Sequence, residues 1–215
     1  MFIDTHMHCI EGSPDSFISV AEIVNKAKEL GLDAICITDH DDNSVKEYAL
    51  KYGQENDFKI FVGAEVLTFE GDIVVFGLEE LPKEMVHAQE LIDLVNSKGG
   101  ATISAHPFRE NNRGLGNHIR EVKGLSAVES FNGSTKPYNN LYAYGLAIEL
   151  GLRTVGASDC HEIEAIGRYC TIFPDNIETE QDLIKALKEE KLYPAVYKNG
   201  RYEKISTYGK YGEEV

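Results

Sequence analysis

The chain has 215 residues, 42% of them hydrophobic and 27% charged, with a formal net charge of −15. That length fits one domain with a sizeable core, and the surplus of carboxylates excludes an extended nucleic-acid surface, which needs clustered lysine and arginine against the phosphates. A small phosphorylated substrate is still compatible with it, since metal ions supply positive charge locally. No apolar stretch is long enough to span a bilayer, and ligand-type residues begin at once where a secretory leader would be basic and then apolar, so the expected location is cytoplasmic.

Taken in order, the first strand ends in His6-x-His8. Side chains two apart on a strand share a face, so two imidazoles, the commonest protein metal ligands, point the same way. A turn-rich loop over 9–18 follows, carrying Gly12, Ser13, Pro14 and Asp15. Ser19 with Glu22 is a capping box, and Val20, Ile23, Val24, Ala27 and Leu30 make an apolar stripe at helical spacing that stops at Gly31. A strand over 34–38 leads into Asp39-His40, and Ser44 with Glu47 predicts the start of a helix reaching about residue 52. A strand over 60–64 delivers Glu65, and another covers 73–76. A helix over 86–96 is closed by Gly99-Gly100, and a strand over 101–105 leads into His106-Pro107.

The polar segment 107–117, with Arg109 and Arg113, is expected to be a loop over the mouth of the site. A strand over 128–131 ends at Asn132-Gly133, a helix over 141–150 stops at Gly151, and the strand reaching 157 brings in Asp159 and His161. A last strand over 169–173 precedes a helix over 181–190, with Thr179 and Asp182 at cap spacing. The domain is expected to span 1–195, with 196–215 as a tail, docked or loosely ordered.

Five strand ends that carry ligand-type residues, separated by helical segments, describe one face of a β/α barrel, where such folds gather their chemistry. An internal echo supports this: Glu29-Leu30-Gly31-Leu32 leads to Thr38-Asp39-His40, as Glu149-Leu150-Gly151-Leu152 leads to Ser158-Asp159-Cys160-His161. Several imidazoles with interspersed carboxylates suit Zn, Mn or Fe better than Ca or Mg. A carboxylate such as Glu65 or Asp159 can bridge two cations, and the natural reaction of such a pair is hydrolysis. No GxSxG, Walker loop or dinucleotide fingerprint points elsewhere. Asp39 could itself ligate or could orient His40 from behind, as ligating histidines require, and the second is the favoured expectation. Arg109, Arg113 and Arg168 are candidates to clamp phosphate. Asn132 is placed to touch substrate or to make a turn with Gly133, and His87 and His118 read as surface residues. Cys9, Cys36, Cys160 and Cys170 form no CxxC pair and are expected to be reduced and buried.

The succession HxH, TDH, a strand-end Glu, SAHP and SDxH, followed by the stretch EIEAIGR, resembles the PHP (polymerase and histidinol phosphatase) family, specifically its small stand-alone metal-dependent phosphoesterases. The resemblance runs from residue 2 to about 190. It implies a distorted (β/α)7 TIM-like barrel and two or three divalent metal ions. Carried across, His6, His8, Glu65 and Asp159 hold the first ion, with Glu65 shared; His106 serves the second; His40 and His161 serve the third, with Asp15 matching the ligand of the loop after HxH. Where family members often have a histidine in the hairpin after the glutamate, this chain offers Asp72. The implied activity is a phosphomonoesterase acting on a small metabolite or nucleotide. The alternatives are a phosphodiesterase or oligonucleotide exonuclease, an amidohydrolase-type C–N hydrolase, for which a strand-end lysine is missing, and a non-catalytic binding module.

Overall fold

The computed structural model describes residues 1–205. Among them the first strand β1 (Phe2–Met7) is followed by α1 (Val20–Leu30), β2 (Ala34–Ile37), α2 (Lys46–Glu55), β3 (Lys59–Val62), β4 (Ala64–Leu67), β5 (Asp72–Phe76), α3 (Ala88–Ser97) and β6 (Ala101–Ser104). Then come β7 (Ala127–Asn132), α4 (Pro137–Leu150), β8 (Arg153–Ala157), β9 (Tyr169–Ile172), α5 (Glu180–Glu189), β10 (Tyr193–Lys198) and β11 (Arg201–Lys204). The last two strands form an antiparallel hairpin that straddles the expected boundary at 195 and takes up the first part of the expected tail; residues 206–215 of that tail lie outside the described residues. No helix among the described residues is long and apolar enough to cross a membrane.

The expected (β/α)7 TIM-like barrel is not what forms. The strands divide into a six-stranded sheet, in the order β11-β10-β9-β1-β2-β3, and a five-stranded sheet, in the order β4-β5-β6-β7-β8. Both are mixed, and isolated bridges between Met7 and Cys160 and between His40 and Glu65 link β1 and the residue beyond β2, inside the first sheet, to the β8 and β4 margins of the second. Two local facts explain the departure. The connection from β4 to β5 is a tight turn over 68–71, far too short for the helical crossover that parallel strands need, so β4, β5 and β6 pair antiparallel. At the other margin β9 lies antiparallel against β1, at Phe2 and Ile3, on the flank that a closing parallel strand would use. A further consequence is that Glu65 belongs to β4, not to the end of β3: the chain passes from one sheet to the other at Gly63.

The helices form for the reasons their sequences give. Ser19 and Glu22 close a capping box on α1, and Gly31 ends it in the left-handed conformation. The Ser44–Glu47 box does not form, because Asp42 engages both the Ser44 amide (2.7 Å) and its hydroxyl (3.0 Å), so the N-cap moves on to Val45 and α2 starts at Lys46. Pro137 opens α4 at its first turn, ahead of the apolar run.

The inner faces of the two sheets share a core in which Ile3, Ala34, Cys36 and Phe61 meet Val74, Phe76, Ile103 and Val155, closed off by Leu183 and Leu187 of α5. α1 and α2 cover the other face of the first sheet and α3 and α4 that of the second. Each large aliphatic side chain fully buried in these layers contributes about 1.5–3 kcal/mol. Lys188 of α5 donates to the Gly100 carbonyl (3.1 Å) just before β6 begins, which fixes α5 at the end of the sheets where β6 starts. The opposite end, where β1, β2, β6 and β8 finish, is left for the polar residues.

Candidate metal centre

His6 lies in β1, and His8 follows the strand end two residues on, with Nε2 atoms 3.0 Å apart. Both nitrogens lie 3.4 Å from Glu65 Oε2, and Asp159 Oδ1 is 3.8 Å from His6 Nε2 and 3.4 Å from His8 Nε2. Glu65 is the hub. Its Oε1 is 2.7 Å from His106 Nε2, and its Oε2 is 2.8 Å from His40 Nδ1 without making a hydrogen bond of good geometry to any neighbour. Asp72 Oδ2 lies 3.8 Å from His106 Nε2. On the outer side, Asp15 Oδ2 is 3.3 Å from His40 Nε2 and 3.4 Å from His161 Nε2, and both rings stack on His8 at 4.3 Å between centroids. The structure thus brings together all eight sequence-predicted ligands and Asp72. His106 and Asp159 hold their side chains in place from backbones at positive φ, 27° and 51°. Such conformations cost about 1–3 kcal/mol each and persist only where the surroundings impose them.

Within this ensemble four groups of three donor atoms each lie close enough to grip one cation: His6–His8–Glu65, His6–His106–Asp159, Glu65–Asp72–His106 and His8–His40–His161. The electrostatics show buried negative charge concentrated here, which a proton on His6 partly meets and which a cation taking that proton's place would meet more fully. Burial opposes a charge on His6, yet the carboxylates of Glu129, Glu65 and Asp159 together hold its pKa well above the ordinary value. Burial likewise works against ionised Glu65 and Asp159, but His6 and His106 beside the first, and His6, His8 and His106 beside the second, keep both well below the usual carboxylate range. His8, where burial dominates, is pushed down to about 4, which leaves its ring neutral and free to ligate. The buried, incompletely bonded Glu65 Oε2 is the observation that fits a cation here. Imidazole and carboxylate donors suit a divalent transition metal.

Behind the ligands lies a layer that the sequence reading did not identify. Glu129, buried in the middle of β7, accepts from His6 Nδ1 (3.1 Å), from the His106 amide (2.7 Å) and from Asn132 Nδ2 (3.0 Å). Its signal was available, since a glutamate inside an apolar strand run is almost never fully buried unless it is paired. Asp39 acts through Ser13: its carboxylate accepts from the Ser13 hydroxyl (2.7 Å) and the Cys9 amide (2.8 Å). Ser13 Oγ in turn meets His8 Nδ1 at 3.2 Å and accepts from the His40 amide at 3.1 Å. Asp39 therefore reaches the His8 ring and the His40 backbone, not the His40 ring.

The arginines divide. Arg109 pairs with Asp159 and donates to Asn132 Oδ1 (3.0 Å) at the mouth. Arg113 pairs with Asp72. Arg168 donates to the Gly133 carbonyl (3.0 Å) and so ties down the turn after β7. Asn132 Nδ2 donates to both Glu129 and Asp159, and its Oδ1 also accepts from Thr135 Oγ1 and the Ser134 amide, so its polar atoms are all engaged beneath Arg109. His87 caps α3 and pairs with Glu70, and His118 pairs with Glu121; both are exposed. All four cysteines are free and buried, held as thiols by burial.

The family model described as PHP-associated matches residues 137–192. The chain is 32% identical over 120 residues to the uncharacterized protein MJ1587 of Methanocaldococcus jannaschii, covering 55% of this chain and 69% of that protein. Among solved structures, PsfC of Pseudomonas syringae superposes with a TM-score of 0.70 at 22% identity, over 89% of this chain and 90% of that one. An amidohydrolase of Chromobacterium violaceum, determined with sulfate and no metal, gives 0.65 at 15% identity, over 86% and 96%. A protein assigned as a metal-dependent phosphoesterase, from Bifidobacterium adolescentis, gives 0.64 at 15% identity, over 74% and 87%. At these identities the likeness to the solved structures is one of fold.

Proposed function

This chain belongs to the PHP family, and from that premise we propose that it is a metal-dependent hydrolase that releases phosphate from a small phosphorylated metabolite or nucleotide. The observation that carries the proposal is the convergence of His6, His8, His40, His161 and Asp159 on or beside the incompletely bonded Glu65 carboxylate, with the Arg109 guanidinium adjoining them. His6, His8, Glu65 and Asp159 would hold one ion and Asp15, His40 and His161 another, leaving Glu65, Asp72 and His106 as the remaining group. Bound ions would supply acidified water as nucleophile and stabilise charge on the phosphoryl oxygens.

The chain's own residues do the rest. Glu129 takes the His6 Nδ1 proton in a hydrogen bond, which fixes the tautomer and turns the Nε2 lone pair towards Glu65 and Asp159. Ser13 does the same for His8 on behalf of Asp39. Arg109, held through Nε by Thr135 and through Nη2 by Asn132 and Asp159, is placed to offer its other terminal nitrogen to a phosphoryl oxygen. A monoester suits the chain better than a polymer, because at a net charge of −15 it lacks the clustered lysine and arginine that a long phosphate backbone needs. The test is release of inorganic phosphate from nucleotides and sugar phosphates in the presence of Mn²⁺, set beside phosphodiester, oligonucleotide and amide substrates. Turnover of monoesters that is abolished in Asp159→Asn supports the proposal. Activity confined to oligonucleotides would make the enzyme a phosphodiesterase, and activity confined to amides would overturn phosphoester hydrolysis altogether.

A further inference from the structure

Over the Glu65–Asp72–His106 group the chain places a cation of its own. Arg113 donates through Nε to Asp72 Oδ2 (2.7 Å) and through Nη2 to Asp72 Oδ1 (3.0 Å), a two-point pairing with a fully buried carboxylate. The same two residues are also joined through the backbone, where the Asp72 amide donates to the Arg113 carbonyl (2.6 Å). That approach depends on Gly71. Its φ is +144°, and a Cβ there would lie 2.6 Å from the backbone of Gly114 and Leu115, pushing the arginine loop off the hairpin. Arg113 Nη2 also reaches to 3.5 Å from His40 Nδ1, so the guanidinium leans towards the ligands while 35% of the side chain stays exposed.

The contrast with Arg109 is informative. Arg109 occupies one oxygen of Asp159, and the other, Oδ1, still faces His6 and His8. Arg113 engages both oxygens of Asp72. With both oxygens already paired to a cation, Asp72 is a poorer metal ligand than a free carboxylate, and the group depends on His106 and the shared Glu65 to hold an ion tightly. Guanidinium is permanently charged and its fork matches a carboxylate, so it neutralises the buried acid that a metal would otherwise neutralise.

We propose that Arg113 stands in for a metal ion at the Glu65–Asp72–His106 group, so that this centre holds two ions and the guanidinium takes the third position. The proposal rests on the metal-dependent reading above and assigns Arg113 to the centre itself, not to substrate phosphate. Its test counts metal and needs no substrate. Protein stripped of metal is equilibrated anaerobically with Mn²⁺ alone, freed of excess by gel filtration and analysed for metal per chain, as wild type, Arg113→Met, Arg113→Gln and the double variant Asp72→Asn/Arg113→Met. Arg113→Gln keeps a hydrogen-bond donor on Asp72 and so protects the fold. Two ions are expected in the wild type, three in each single variant, and two again in the double variant, where the freed carboxylate is gone. Three ions in the wild type overturn the proposal and leave metal-dependent hydrolysis standing. A count that stays at two in both single variants, with native circular dichroism, also overturns it. No bound ion in any form removes this proposal and the metal-dependent reading together.

Discussion

Glu129→Gln is the sharpest probe of the centre, because it changes one charge and almost no volume. Glu129 accepts from three donors, the His6 ring, the His106 amide and the Asn132 side-chain amide. A glutamine has a single acceptor oxygen, so at least one of these donors must face an NH2 group instead. A hydrogen bond to a charged group is worth about 1.5–3 kcal/mol. Removing the partner of a ligating histidine typically weakens metal binding by about 10–100-fold, which is about 1.4–2.8 kcal/mol, so the two routes give the same size of effect. The expected result is a Mn²⁺ dissociation constant raised by about 10–100-fold, measured by competition with a chelating fluorophore. Glu149→Gln, which alters an exposed pair with Arg120, serves as the control and should leave the constant unchanged. If Glu129→Gln folds normally and binds Mn²⁺ like the wild type, His6 is not oriented by Glu129 and the supporting layer has been misread.

Two further outcomes follow from the same geometry. Metal should stabilise the fold: at an ion concentration about 100 times the dissociation constant the gain is about 2.7 kcal/mol, so chelation should lower the melting temperature by about 5–10 °C for a chain of this size, as read by scanning fluorimetry. Gly12→Ala would place a Cβ on top of the Asp39 carboxylate. The strain should cost about 1–3 kcal/mol, visible as a lower urea midpoint, and should weaken metal binding through Ser13 and His8.

The cluster of candidate ligands was legible because most of them follow a short apolar run, where a change from apolar to ligand-type residues is local in sequence; Asp15, in the turn-rich loop 9–18, was offered only by the family resemblance. Asp39 was legible only in part: its place behind the ligands follows from the TDH motif, but its route through Ser13 depends on how a loop 26 positions away folds back. Glu129 was missed because it lies inside the strand over 128–131, whereas the candidate residues were sought at strand ends. The closed barrel failed for a different reason. Helix and strand signals are local, whereas which strand lies beside β1 is decided by a contact between residues 2 and 172. The turn between β4 and β5 was the one local warning, since two strands that close together pair antiparallel.

Charge gives a physical reason for such a site to bind an ion. Glu65, Asp72, Glu129 and Asp159 are buried together, and the guanidiniums beside them are Arg109 and Arg113, so two carboxylates go uncompensated by arginine. Buried ion networks of this kind are often no more stable than apolar replacements of the same shape, and a fold selected for stability alone would have little reason to keep an excess of buried negative charge. The raised pKa of His6 is the protein's partial answer to that excess. A divalent cation between the imidazoles and Glu65 would be the complete one. The positive φ of His106 and Asp159 adds strain at the same strand ends, so the destabilising features and the ligands coincide, as expected where binding of an ion offsets what the folded chain alone cannot.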